Sequence, residues 1–361
     1  MSVDPAPAPD TAFAALAARV RASERRADRR LESAIDDFFR IETDRLGDRT
    51  RAAIGTMIDS TIERIEGEIA AHAARLLVQR GDQAGAAVLS ASNTGVTGRL
   101  AHAGLLRDRD LMAELVAQAR VVLIDEALVA KRPPDTPATL LARLAESADG
   151  IVRSRALGYM IADSRRRLPS RGMGAELPAG LHRRLAWWVA AALRDRLGEG
   201  HPLADRALAD ATARSNDARE ENEGVAVAAR QLALALAPEQ AEVPALLVEC
   251  LIEGRVSLFV AVLAQALAID ADDARALVTE PESDLLWLAL RSIGCPRDWL
   301  ARIGWLLGEA DDARDVEALP DAIDAVAGIA PDAAREAIAA LTLDRDYRAA
   351  LRLLTRDEDR G

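Results

Sequence analysis

The sequence predicts an all-α protein made of stacked helical hairpins, and three observations support this. Half of the residues are apolar but only 3% are aromatic, so the apolar content is mostly Ala, Leu and Val, of which Ala and Leu are strong helix formers. Apolar residues recur at helical spacings, whereas alternating runs typical of strands are almost absent. Short polar turns separate the predicted helices, which indicates that neighbours in sequence pair with each other.

The predicted organisation has four parts in chain order. Residues 1–10 are a Pro- and Ala-rich disordered tail, residues 11–80 are long helices, residues 81–240 are a HEAT-like helical domain, and residues 241–356 are C-terminal hairpin repeats. The last part shows the hairpins most clearly. Gly294 ends one predicted helix and Pro296 opens the next, which is the usual placement of these two residues.

A self-similar pattern strengthens the interpretation of the C-terminal part. The sequence Ile-x-x-Asp-x-Ala-Arg-x-x-Val at residues 269–278 returns, with Ile in the last position, at residues 329–338. A turn Ile, an Asp expected to cap the helix and a terminal apolar anchor recur together. This predicts a HEAT-like α-solenoid. The alternative is chance similarity between amphipathic helices of an Ala-rich protein.

An apolar stripe runs along the second long N-terminal helix. It includes Ile58, Ile62, Ile65 and Ile69, which are spaced by three and four residues. Two arrangements fit this stripe. It is either a coiled-coil seam that pairs two chains, so that residues 11–80 form a homodimer, or a face that packs on its own domain.

The composition narrows the classes of function that we expect. There are 58 acidic against 46 basic residues, giving a net charge of −12, so we do not expect a general nucleic-acid binder, which needs a basic field. Cys250 and Cys295 lie in apolar contexts and do not form a disulfide framework, which favours a reducing cytoplasm. The N-terminus lacks the plan of a signal peptide, and no apolar run is long enough to cross a membrane.

No catalytic, metal or cofactor pattern stands out. The four histidines lack metal-ligand spacing, and no phosphate-binding or dinucleotide-binding glycine loop is present. We therefore predict no catalytic residue, no metal and no cofactor. Trp287, Trp299 and Trp305 lie at helical spacings and are expected to fill the core.

One cluster of basic residues is a candidate anion site. Arg165, Arg166, Arg167 and Arg171 lie within seven residues, beside two glycines. Arginine forks bind phosphates and carboxylates well. The alternative is a solvated loop whose cations lie at a helix C-terminus, where positive charge is favourable.

Two segments carry a resemblance to a known family. The segment Leu-Val-Glu-Cys-Leu-Ile-Glu-Gly-Arg-Val-Ser-Leu-Phe at residues 247–259 and the later segment from Leu286 to Pro296 resemble the bacterial family called domain of unknown function 2336. The resemblance covers roughly residues 80–355. It implies an all-helical, HEAT-like protein and implies no chemistry, because the matching residues are of structural types.

Two functions follow as expectations. The first is a non-enzymatic protein–protein interaction scaffold or regulatory adaptor in the cytoplasm, because stacked hairpins present an extended surface. The second is a sensor of a small anionic, nucleotide-like ligand held by the loop from Arg165 to Arg171. An enzyme is the third class, and the sequence nominates no pair of titratable groups for it.

Overall fold

A computed structural model describes residues 9–39, 47–91, 95–132, 139–167, 174–198, 201–217, 224–281 and 284–358. This part of the chain is all-helical and contains no β-strand. None of its helices combines the length and the apolar content that crossing a lipid bilayer would require. Of the predicted tail at residues 1–10, Pro9 and Asp10 begin the first helix, and the other eight residues lie outside the described range.

The described residues contain eighteen α-helices. In chain order they are α1 (Pro9–Phe39), α2 (Asp48–Gln79), α3 (Gln83–Ser90), α4 (Val96–His102), α5 (Arg109–Lys131), α6 (Thr139–Ala145), α7 (Gly150–Arg167), α8 (Ala179–Leu197), α9 (Ala204–Asp217), α10 (Val225–Leu236), α11 (Val243–Ile252), α12 (Val256–Leu267), α13 (Ala271–Thr279), α14 (Asp284–Ser292), α15 (Arg297–Ala310), α16 (Leu319–Ala327), α17 (Pro331–Ala337) and α18 (Arg345–Glu358). Two 3-10 turns lie at Leu105–Arg107 and Ala339–Thr342.

The chain divides into two compact units. Unit 1 contains residues 1–32, 120–160 and 226–361, and unit 2 contains residues 33–119 and 161–225. Each unit is therefore assembled from segments that are far apart in sequence.

Unit 2 is built around α2. This helix packs against α3, α4, α8 and α9, and its apolar stripe supplies much of the core. Ile54, Ile65 and Ile69 are completely buried. A helix that is covered on several sides needs a broad apolar face, and spacings of three and four residues provide one.

Unit 1 contains consecutive helical hairpins. α11 packs against α12, α12 against α13, and α15 against α16, while α14 packs mainly on α17 and α16. The turns between these helices are short, as their Gly and Pro residues predict. Gly254 lies in the turn between α11 and α12 with φ +60°, a backbone conformation that glycine adopts without steric cost.

The self-similar segments adopt the same local structure. α13 and α17 are each preceded by an extended residue, Asp270 (φ −62°, ψ 145°) and Ala330 (φ −63°, ψ 140°). The recurring Asp differs from its predicted capping position. Asp272 and Asp332 lie inside the first helical turn, where each pairs with the Arg three residues later, at 3.1 Å and 2.6 Å. A carboxylate there still faces the positive end of the helix dipole.

Two buried carboxylates in unit 1 cap helices that lie far away in sequence. Asp125 of α5 is 2% exposed and accepts a 2.9 Å hydrogen bond from the backbone N–H of Val256, the first residue of α12. Glu253 is 3% exposed and accepts a 2.6 Å bond from the N–H of Leu140 in α6. The first N–H groups of a helix lack partners within the helix, so these carboxylates both satisfy them and fix how helices meet.

Candidate interaction surfaces

The predicted basic loop begins in the last turn of α7, which contains Arg165, Arg166 and Arg167; Arg171 lies outside the described residues. Asp163 is 4% exposed and accepts hydrogen bonds of 2.9 Å from both Arg166 and Arg167. Asp163 therefore already gives both guanidiniums the carboxylate partner that an anionic ligand would supply. Asp163 precedes these arginines by three and four residues, a helical spacing that is visible in the sequence.

The predicted dimer stripe is core in unit 2. Ile58, Ile62, Ile65 and Ile69 have exposed fractions of 5%, 1%, 0% and 0%, and their helix packs against other helices of the same unit. This placement corresponds to the second of the two arrangements, a face that packs on its own domain. Homodimerisation through residues 11–80 stays a prediction, and in this conformation it would use other side chains.

His201 lies beside a carboxylate, and both cysteines are buried. Nδ1 of His201 lies 2.8 Å from Oδ2 of Asp82, and Oδ1 of Asp82 accepts a hydrogen bond from the N–H of Gly85 at the start of α3. The bond from Gly85, followed by that from His201, lowers the pKa of Asp82. Burial raises the pKa of the Cys250 thiol and raises that of Cys295 to about 12, so both thiols are protonated at neutral pH.

Within the ranges that the structure describes, no three His, Cys, Asp or Glu side chains converge as metal ligands.

The tryptophans differ from one another in burial. Trp287 is 7% exposed and belongs to the core of unit 1, as predicted. Trp305 is 56% exposed, so its predicted core position is wrong. It lies on the opposite side of α15 from Ile303 and Leu307, which occupy the buried face of this amphipathic helix.

An exposed apolar stripe on and just before α18 was not anticipated. Leu343, Tyr347, Leu351 and Leu354 are 44%, 55%, 40% and 66% exposed. Tyr347, Leu351 and Leu354 lie in α18, where spacings of four and three place them within roughly 60° of one another around the helix axis. Leu343 precedes the helix in extended backbone (φ −82°, ψ 151°). The sequence contains this spacing, and it is the signal that could have identified the stripe. We call these four residues the α18 stripe.

A buried ion pair attaches α18 to the rest of unit 1. Arg348 is 6% exposed, contacts the carboxylate of Asp273 in α13, and donates a 3.1 Å hydrogen bond from Nε to the carbonyl oxygen of Leu343. A charge removed from water must be paired, and this pair fixes the rotation of α18 about its axis. That rotation leaves the α18 stripe facing solvent.

Exposed apolar residues also lie on α7. Ile151, Leu157, Met160 and Ile161 are 66%, 46%, 37% and 54% exposed. Met160 and Ile161 follow Leu157 by three and four residues, so these three span about one helical turn, whereas Tyr347, Leu351 and Leu354 span about two turns. The α18 stripe is therefore the longer of these two exposed apolar groups, and a contiguous patch is more informative than scattered residues.

A second group of arginines meets in unit 1. Arg30 of α1 contacts Glu280, and Nη1 of Arg120 in α5 lies 3.9 Å from the other oxygen of the same carboxylate. Arg314 donates to the carbonyl oxygen of Val278, and its Nε lies 3.6 Å from Asp311. Burial lowers the pKa of both Arg120 and Arg314, and Asp311 opposes that change. We call the five charged residues Arg30, Arg120, Glu280, Asp311 and Arg314 the arginine cluster.

Comparison with known proteins identifies a family. The family described as an uncharacterised protein conserved in bacteria (DUF2336) matches residues 172–352, half of the chain. No curated protein and no solved structure matches the chain. The match starts later than the resemblance near residue 80 suggested, and it contains both segments that carried the resemblance as well as Leu343, Tyr347 and Leu351 of the α18 stripe. The resemblance is thus confirmed, and the chain belongs to the bacterial DUF2336 family.

Proposed function

We propose that the protein is a non-enzymatic interaction scaffold or regulatory adaptor, and that the α18 stripe binds a helix of a partner protein. The observation that carries this proposal is the exposure of four large apolar side chains, three of which lie on one face of α18. Exposed apolar patches of this kind are typical of interaction sites. A partner helix fits because Tyr347, Leu351 and Leu354 extend over about two helical turns and their 3–4 spacing suits ridges-into-grooves packing.

The architecture supports a scaffold. Short turns join α11 to α12 and α12 to α13, and each of these pairs packs together. We propose that these hairpins belong to a HEAT-like α-solenoid, in which each hairpin covers its neighbour. The near-identical entry into α13 and α17 supports this arrangement. A reducing cytoplasm suits the free, buried thiols of Cys250 and Cys295.

Replacing Leu354 or Tyr347 with Asp is expected to abolish partner binding without changing stability. Both side chains are more than half exposed, so each charge costs little in the free protein but enters an apolar interface in the complex. The measurement is affinity capture from a lysate of the source bacterium, with quantitative mass spectrometry and thermal unfolding of each variant. We expect captured partners to fall about tenfold or more, as for central interface residues.

The control is Ala349→Asp, which places the same charge on an exposed part of α18 away from the stripe. A partner that binds both variants as well as the original protein would contradict the proposal. A loss of the protein's own oligomeric mass in the Leu354→Asp variant, measured by light scattering, would instead show that a second copy occupies the stripe.

The second candidate is a sensor of an anionic, nucleotide-like ligand at Arg165, Arg166, Arg167 and Arg171. It is favoured by three arginines in a single helical turn, of which Arg165 is exposed. If it is correct, phosphate-bearing nucleotides raise the melting temperature by several degrees at saturation, and Arg167→Ala removes the effect. Arg153→Ala, on an exposed part of the same helix, is the control. Equal shifts in all three proteins would exclude this site.

A further inference from the structure

Ion pairs at two places attach the N-terminal helix α1 to other helices of unit 1. Arg19 donates from Nη2 to Asp284 at 3.0 Å, and Arg30 contacts Glu280. The two arginines are eleven residues apart, which is about three helical turns, so they lie on the same face of α1. Their acidic partners lie at the end of α13 and the start of α14.

Between residues 19 and 32, few of the described side chains that are buried are apolar. Among the side chains that the structure describes between residues 19 and 32, Val20 is the one apolar side chain below 9% exposure, and Ser23 is buried beside it. Charged side chains form most of the remaining stretch. The usual anchor of a helix, a broad buried apolar face, is therefore reduced here to a single Val in the described part.

The surface that receives Arg30 is itself charged. Arg30 is the member of the arginine cluster that α1 contributes, and Glu280 lies between Arg30 and Arg120. A surface made of paired guanidinium and carboxylate groups can be hydrated when α1 leaves, whereas an apolar surface would lose the stabilisation of burial. Glu280 keeps Arg120 as a partner after Arg30 has gone.

We propose that residues 19–32 of α1 are an ionic strap that binds to and detaches from the rest of unit 1 while the rest of the unit stays folded. The arginines at positions 19 and 30 are its two attachment points. Screening of the ion pairs shifts the strap towards the detached form, because Coulomb attraction between partly exposed charges weakens as salt rises.

Hydrogen exchange measured by mass spectrometry tests the proposal on the full-length protein. Between about 0.05 M and about 0.5 M NaCl, over which the Debye length falls from roughly 14 Å to roughly 4 Å, we expect amides of residues 19–32 to exchange about tenfold faster. Exchange in α11, α12 and α14 should not change. Unchanged exchange of residues 19–32 would overturn the proposal, and so would an equal acceleration throughout unit 1.

Charge reversal gives an independent readout at low salt. Arg19→Glu places like charges together, so the strap should open without added salt, and Asp284→Arg in the same chain should restore protection. Arg30→Glu should open the strap in the same way against Glu280. Arg25→Glu is the control, because Arg25 is exposed on another face of α1. A double variant that exchanges as fast as Arg19→Glu, or a control that opens as readily, would contradict the assignment.

Discussion

Gly254→Ala is expected to lower the free energy of unfolding of unit 1 by about 2–5 kcal/mol. Gly254 has φ +60°, where an L side chain is strained. A Cβ atom added there would lie 2.5 Å from Cγ2 of Val129 and 3.0 Å from the backbone oxygen of Asp125. The Val129 side chain can rotate, but the carbonyl of Asp125 belongs to helix α5 and cannot move without disturbing it.

Urea unfolding followed by far-ultraviolet circular dichroism measures this effect, and Gly294→Ala is its matched control. Gly294 also has a positive φ, +82°, but its nearest neighbour to an added Cβ is Nε2 of Gln240 at 3.8 Å. The control therefore isolates the backbone term, roughly 1–2 kcal/mol. If both variants lost the same stability, close approach of the α11–α12 turn to α5 would not be the reason for glycine at residue 254.

Ile65→Ala is expected to destabilise unit 2 by about 2–5 kcal/mol, the usual cost of emptying a fully buried aliphatic site. Ile65 has no exposed surface, and its helix is covered by α3, α4, α8 and α9. The loss includes the transfer of the missing methyl and methylene groups and the cavity that they leave. Thermal and urea unfolding measure it.

The same variant distinguishes the two arrangements of the isoleucine stripe. Val78→Ala, on the same helix with the side chain 54% exposed, should change stability by less than about 0.5 kcal/mol. Light scattering over a range of concentrations completes the comparison. Conversion of a dimer to a folded monomer of normal stability by Ile65→Ala would show that the stripe pairs two chains and that its burial here does not represent the protein in solution.

The sequence predicts helices well where local signals suffice. The helix that Pro296 is predicted to open is observed as Arg297–Ala310. Caps, turn residues and apolar periodicity act over a few residues and are therefore legible in one sequence. The isoleucine periodicity of α2 likewise predicted an apolar face, although it could not say what covers that face.

Contacts between distant segments could not be predicted in this way. Asp125 caps a helix that begins 131 residues later, and no local pattern links Arg30, Arg120 and Arg314. In the sequence, side chains of this kind look like ordinary surface charges, because the fold that brings them together is not visible there. The α18 stripe is a different case, because its spacing is present in the sequence. Its exposure is not, since the buried pair of Arg348 with Asp273 sets which face of the helix meets solvent.

The interleaving of the two units has a consequence for biosynthesis. Unit 2 ends at residue 225, so all of it has left the ribosome once enough further residues have been translated to fill the exit tunnel. Unit 1 also needs residues 226–361. The first segment of unit 1 to be made, residues 1–32, is therefore translated long before the helices that receive it. A nascent chain arrested before α13 and α14 would hold Arg19 and Arg30 without their carboxylate partners, so co-translational folding proceeds from the middle of the polypeptide outward.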